Sequence, residues 1–121
     1  NDYQNGRIFD DALCYSFYPI DLHTKDGVVP KHLKRGVVPT IPRGSLIPKG
    51  SKNLMVAGRC LSSDRYANSA ARVQASCMGM GQAAACTAVL AAKSSITPKE
   101  VPLDDIYSLL REHGAIVPTK T

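Results

Sequence analysis

Arg59, Arg72, His23 and Asp21 are the side chains of this 121-residue chain whose types and settings could do chemistry. A guanidinium presents a planar fork of donors that suits anionic oxygens. Arg59 directly follows Gly58, at the end of the apolar run Leu54-Met55-Val56-Ala57. Arg72 stands near the start of a long stretch rich in Ala and Gly, which reads as a helix over about residues 70–93. The helix dipole disfavours a cation there, so its presence predicts a nearby anion, either a substrate carboxylate or ligand oxygens. The plainer alternatives are a surface ion pair for Arg59 and a snorkelled surface side chain for Arg72. His23 lies two residues after Asp21. In an extended segment both would project to one face, and the carboxylate could orient the imidazole for proton transfer. A lone histidine is more often structural, and that reading stands beside the catalytic one.

The elements around these residues would have to place them. Residues 54–57 read as a buried strand, because a short apolar run bounded by Asn53 and Gly58 suits a strand covered on both faces. Gly58 then frees the turn for a positive φ and lets a ligand lie on the backbone. Strand, glycine turn and small-residue helix together are how α/β folds build sites for phosphate-bearing cofactors. Ser62 and Ser63, in the polar loop between, could donate hydroxyls to such a ligand. Within the helix, Gly79 and Gly81 each cost roughly 1 kcal/mol relative to Ala. Close approach of another backbone or of a flat ligand would offset that. Gly81, Ala84 and Ala88 recur at helical spacing; the two alanines read as packing, while Gly81 and Gln82 are candidate cofactor contacts.

The rest of the chain reads as support. Residues 7–18 suggest a strand, or a short helical turn leading into one. Residues 37–42 can only be extended, and their prolines place them at a sheet edge or outside a sheet. Thr97-Pro98-Lys99-Glu100 has the form of a capping box, and Leu103 to His113 a helix with Ile106, Leu109 and Leu110 on its apolar stripe and Gly114 after its end. Asp10-Asp11 and Asp104-Asp105 read as turn and helix-start residues, not as a catalytic pair.

The net charge is +5, but the cations are scattered and only Lys31 to Arg35 forms a small cluster. No aromatic residues interleave with it, so nucleic acid is not the expected partner. The four cysteines, Cys14, Cys60, Cys77 and Cys86, lack metal-ligand spacing. They read as thiols used as small apolar residues in a reducing compartment, the cytoplasm, and no metal site is expected. No unbroken apolar run of about 18 residues occurs, so no membrane span is expected.

The segments Ile41-Pro42-Arg43-Gly44-Ser45-Leu46-Ile47-Pro48, Asn53 to Cys60, Ala71-Arg72-Val73 and Met80-Gly81-Gln82-Ala83-Ala84, preceded by Tyr18-Pro19-Ile20-Asp21-Leu22-His23, resemble the C-terminal part of a family of FAD-dependent oxidoreductases. The motifs stand in the family's order over roughly residues 7–115. Where the family has Gly after the two alanines, this chain has Ala85, which would add a methyl at a tight contact. The resemblance implies an α/β fold, the C-terminal fragment of an FAD-binding Rossmann-like flavoprotein. Residues 1–52 would end the inserted substrate domain, and residues 53–121 would supply the last strand and helices of the FAD-binding domain. It implies Gly58, Arg59, Ser62, Gly81 and Gln82 as cofactor contacts, with Arg72 and His23 at the reacting end. FAD is the implied cofactor, with hydride transfer at flavin N5 in the intact enzyme. No Gly-x-Gly-x-x-Gly turn of the adenosine-binding kind occurs here. The chain alone is therefore expected to bind FAD weakly or not at all. Its expected partners are the N-terminal remainder of the polypeptide and a small-molecule substrate, and exposed apolar surface could join copies of it. The rival readings are a standalone interaction module and a basic nucleic-acid-binding domain.

Overall fold

The computed structural model describes residues 2–119. Two short antiparallel pairs carry the strands: β1 (Ala12–Tyr15) with β4 (Thr40–Pro42), and β2 (His23–Thr24) with β3 (Gly27–Val28). Three α-helices follow, α1 (Arg65–Ala71), α2 (Gln74–Ser94) and α3 (Leu103–Glu112). The architecture is mixed, with helices packed against small sheets. Both sheets are antiparallel, so the described residues contain no parallel sheet of the Rossmann-like kind.

β1 fulfils the expectation of a strand within residues 7–18. Ala12, Leu13 and Cys14 are buried in succession, as in a strand covered on both faces. Its ladder with β4 shifts by a bulge between Ala12 and Cys14. β4 is short and ends at Pro42, which cannot donate to a ladder.

α2 lies across β1, with Gly79 facing Cys14. A Cβ there would stand 3.6 Å from the Cys14 Cβ, an ordinary packing distance, so the contact with β1 would admit an alanine and does not itself require glycine. Met80 and Ala83 enter the core, and α3 adds Ile106 and Leu110 beside them. The Tyr107 hydroxyl donates to the Ala12 carbonyl at 2.9 Å and ties α3 to β1. Leu13, Ile41 and Leu46 share this core, so it draws on both sides of position 52. By length and composition α2 is apolar enough to cross a membrane. A core helix meets the same test, and here Met80, Ala83 and Thr87 are buried within the protein.

A chain of hydroxyls fixes the start of α2. Ser76 Oγ and Ser16 Oγ are 2.8 Å apart, Ser16 Oγ and Tyr3 Oη 3.1 Å, and Tyr3 Oη donates to the Tyr18 carbonyl at 2.9 Å. Burial pushes the Tyr3 phenol above its ordinary pKa, which keeps its proton in place for that bond. With one proton per hydroxyl, each group donates once along the line.

Two expectations are corrected. Residues 54–57 form no strand, and Leu54 is 53% exposed. The segment has no ladder partner among the described residues, only a bond from Val56 N to the Leu46 carbonyl at 2.8 Å. An apolar run becomes a strand only beside another strand. The Ala-rich helix also does not run unbroken from residue 70. α1 ends at Ala71, Val73 is extended with ψ 153°, and α2 begins at Gln74. From there to Ser94 the helical expectation holds, as it does for α3 with Gly114 at φ 74° after its end. Of the capping box only the glutamate half forms, and without a helix: Glu100 Oε2 accepts from Thr97 N at 2.8 Å and from Thr97 Oγ1 at 2.7 Å, while Glu100 N bonds the Thr97 carbonyl at 2.9 Å in a turn.

The two methionines of α2 should separate cleanly. Met80 has no exposed surface, whereas Met78 is 75% exposed. Met80→Ala should cost about 2–5 kcal/mol of unfolding free energy in urea, and Met78→Ala under about 0.5 kcal/mol.

Candidate functional site

Gly58 opens a tight 3-10 turn, Gly58–Cys60, with Leu61 N bonded back to the Gly58 carbonyl at 3.2 Å. Its φ of 71° is left-handed, as the sequence predicts, and favours glycine there. A Cβ at Gly58 would lie 3.6 Å from Cys77 Sγ. The turn therefore rests against the first turn of α2.

The junction between α1 and α2 is built around Arg72. Its carbonyl accepts from Cys77 Sγ at 3.4 Å and from Arg59 Nε at 3.5 Å. These bonds satisfy a carbonyl that the end of α1 leaves without a helical partner. They also hold the exposed Arg59 beside the start of α2. That start carries no side-chain cap and no acidic residue in its first turn. Gly58 turn, Arg59 and an uncapped helix N-terminus thus meet in one place, and all three favour anionic oxygens.

The side chain of Arg72 goes elsewhere. Nε donates to the Ser69 carbonyl at 3.1 Å, and one terminal nitrogen reaches Asp21 Oδ2 at 3.3 Å and the Asp21 carbonyl at 3.5 Å. Arg72 is the C-terminal cap of α1, where the dipole favours a cation. The premise that it opposes the dipole at a helix start is corrected, and the anion beside it is Asp21. His23 Nε2 lies 3.7 Å from the same Asp21 oxygen, as the spacing of the two residues predicts. Asp21 N donates to Ser69 Oγ at 3.2 Å, and Arg65 donates to the His23 carbonyl at 3.4 Å. Asp21, His23, Arg65, Ser69 and Arg72 line an open groove of about 520 Å³.

The structure therefore brings Arg72 and His23 together through Asp21, and sets Gly58 and Arg59 on the other side of Arg72. Ser62 is exposed, bonds through its backbone to the Ser45 carbonyl at 2.8 Å, and lines a separate cavity of about 410 Å³. Gly81 follows Cys77 by four residues and so shares its side of α2; a Cβ there meets nothing within 4 Å. Gln82 turns away, donating through Nε2 to the His113 carbonyl at 3.4 Å. Ala84 is buried, but Ala85 and Ala88 are exposed, so the extra methyl at Ala85 crowds nothing among the described residues. Sequence reasoning missed the roles of Ser69 and Arg65, since a serine and an arginine on a helix carry no signal of what they will face. It also missed the Val73 break, which no Gly or Pro marks.

The family model described as FAD dependent oxidoreductase matches residues 1–112, and the chain belongs to that family. No curated protein and no solved structure matches it. The donor set fits a flavin dinucleotide in kind. An uncapped helix start and Arg59 suit its oxygens, and the open side at Gly81 leaves room for a flat group. Gly58, Arg59 and Gly81 would hold it.

The thiols divide by setting. Cys14 and Cys86 are buried, as apolar use requires, whereas Cys60 is exposed beside Arg59. Burial pushes the Cys14 thiol from 9.0 up to about 12, and that of Cys86 upward as well. Because its folded pKa is raised, the neutral Cys14 thiol supports the fold fully below pH 9.0, and this contribution is lost as pH climbs toward about 12. A disulfide reagent at about pH 8 should label Cys60 in the native chain and Cys14 only on unfolding. Urea melts should show stability falling above pH 9.0, with a smaller fall in Cys14→Ala.

Proposed function

We propose that this chain forms one wall of the flavin site in an FAD-dependent oxidoreductase whose hydride transfer takes place at flavin N5. The observation that carries the reading is the uncapped start of α2 beside the Gly58 turn and Arg59. In this reading the helix start and Arg59 hold anionic oxygens of FAD beside the Gly58 turn, and Gly81 leaves room for its flat parts. Bound FAD supplies the redox chemistry, and the protein orients and polarises. Arg72 is a positioning residue: it holds Asp21, which in turn faces His23. With Nε2 turned to Asp21, Nδ1 is the nitrogen of His23 left to exchange a proton with a small-molecule substrate.

The N-terminal remainder of the polypeptide, in a Rossmann-like arrangement, would grip the adenosine end. The unpaired segment 54–57, with Leu54 exposed, supports this, since it has the composition of a strand and lacks the neighbour. Thiols without disulfides among the described residues support a cytoplasmic setting.

Titrating the purified chain with FAD and following flavin fluorescence should show binding in the micromolar range or weaker; submicromolar binding would show that the chain needs no remainder. In the intact enzyme, Gly58→Asn keeps a positive φ accessible but adds bulk, so bound flavin read by absorbance should fall. Arg72→Ala should leave flavin bound and slow its reduction roughly 10²-fold, as misplacement of a proton-transfer group does. If neither flavin content nor reduction changes in Arg72→Ala, the Asp21–His23 pair has no part in the reaction.

A further inference from the structure

We infer that the ribbon formed by β2 and β3, with the basic segment that follows it, is a docking surface for an anionic lipid bilayer. The ribbon is longer than its two named strands. His23 pairs with Val28 and Thr24 with Gly27, and an isolated bridge joins Ile20 to Lys31 in the same register. In that bridge Ile20 N donates to the Lys31 carbonyl at 3.0 Å and Lys31 N to the Ile20 carbonyl at 2.8 Å. The base of the ribbon is fixed: Ile20 is buried with Tyr3 and Ala70, and Leu33 packs against them. Beyond the base it stands clear of the body, since every residue from 23 to 32 is exposed. A two-stranded ribbon on its own is marginal in water. This one also offers two valines to solvent, Val28 at 39% and Val29 at 81% exposure.

The chemistry of the patch selects the surface. From Val28 to Gly36 the chain carries Lys31, Lys34 and Arg35 and no acidic residue. Lys25 stands in the turn of the ribbon, and Arg65 reaches its base, donating to the His23 carbonyl at 3.4 Å. None of these five cations forms an ion pair among the described residues. The acids nearby are Asp26, in the turn, and Asp64, which caps α1; Asp21 is held by Arg72 and Asp2 by Arg7. Five cations against two carboxylates leave the patch positive. Lys31 Nζ lies 5.5 Å from the centre of the exposed Tyr66 ring, and such an amphipathic ring beside a lysine suits the level of lipid headgroups. Val29 and Lys31 are two apart on one extended strand and project to one side. Cations among the headgroups with an aliphatic side chain beneath them are the parts of a peripheral membrane contact. A nucleic acid would take the cations and leave the valines in water. The contact needs no membrane-spanning segment, and it is independent of the flavin reading.

The test is co-sedimentation of the full chain, without flavin, with vesicles of phosphatidylcholine alone or with about 30% phosphatidylserine, in about 0.1 M salt. Half of the chain should be bound at about 1 mM lipid on the phosphatidylserine vesicles, and little on phosphatidylcholine alone. Lys34→Glu together with Arg35→Glu should weaken binding about tenfold or more. Val29→Ser should weaken it about fivefold, through lost apolar burial. Met78→Ser, which changes an exposed apolar side chain outside the patch, should leave it unchanged. Circular dichroism checks that each variant is folded. Equal binding to both vesicles overturns the inference, as does unchanged binding in the folded double variant. Binding that heparin abolishes and Val29→Ser leaves unchanged is that of a general polyanion site, and overturns it as well.

Discussion

The site depends on a change of helix direction at Arg72 and Val73. A continuous helix through residues 65–94 would bury its inner amides in its own ladder and leave no free helix start near Gly58. The break instead creates two ends at once: carbonyls at the close of α1 and amides at the opening of α2. The carbonyl of Arg72 is taken by Cys77 and Arg59, while its guanidinium reaches the other way to Asp21. One residue thus joins the Gly58 corner to the Asp21–His23 pair. Neither half needs a charge placed against the dipole, because Arg72 sits where a helix end favours it.

The position of that junction is set from both sides. Gly79 of α2 packs on Cys14 of β1, and Tyr107 ties α3 to the same strand. The hydroxyl line from Ser76 through Ser16 to Tyr3 holds the first turn of α2 to the segment after β1. α2 is therefore anchored at its start by polar contacts and in its middle by close packing. Buried polar contacts of this sort specify one geometry, because leaving any member unpaired is costly.

The parts of this arrangement that were legible in sequence are those governed by local rules. Gly58 needed a positive φ, α3 showed its stripe and cap, and Asp21 and His23 showed the spacing of a shared face. The parts that were not legible depend on what lies opposite. The run Leu54 to Ala57 has strand composition but no strand beside it, so the same residues stay unpaired. Ala88 has the spacing of a packing residue yet is exposed, because it borders an open pocket with Asn53, Met55 and Ile96 rather than a packed neighbour. The break at Val73 is tertiary in origin. Ala70, Ala71 and Arg72 are compatible with helix, and the carbonyl bonds from Cys77 and Arg59 that accommodate the break come from other turns of the chain.

The central claim is that flavin oxygens meet the uncapped start of α2 at the Gly58 turn. Hydrogen exchange of the intact enzyme, with flavin bound and removed, tests it most directly. Amides of residues 74–76 and 58–61 should gain protection when flavin is bound, and those at the far end of α2, residues 88–94, should not. Protection that leaves residues 58–61 and 74–76 unchanged while appearing elsewhere in the chain would contradict it.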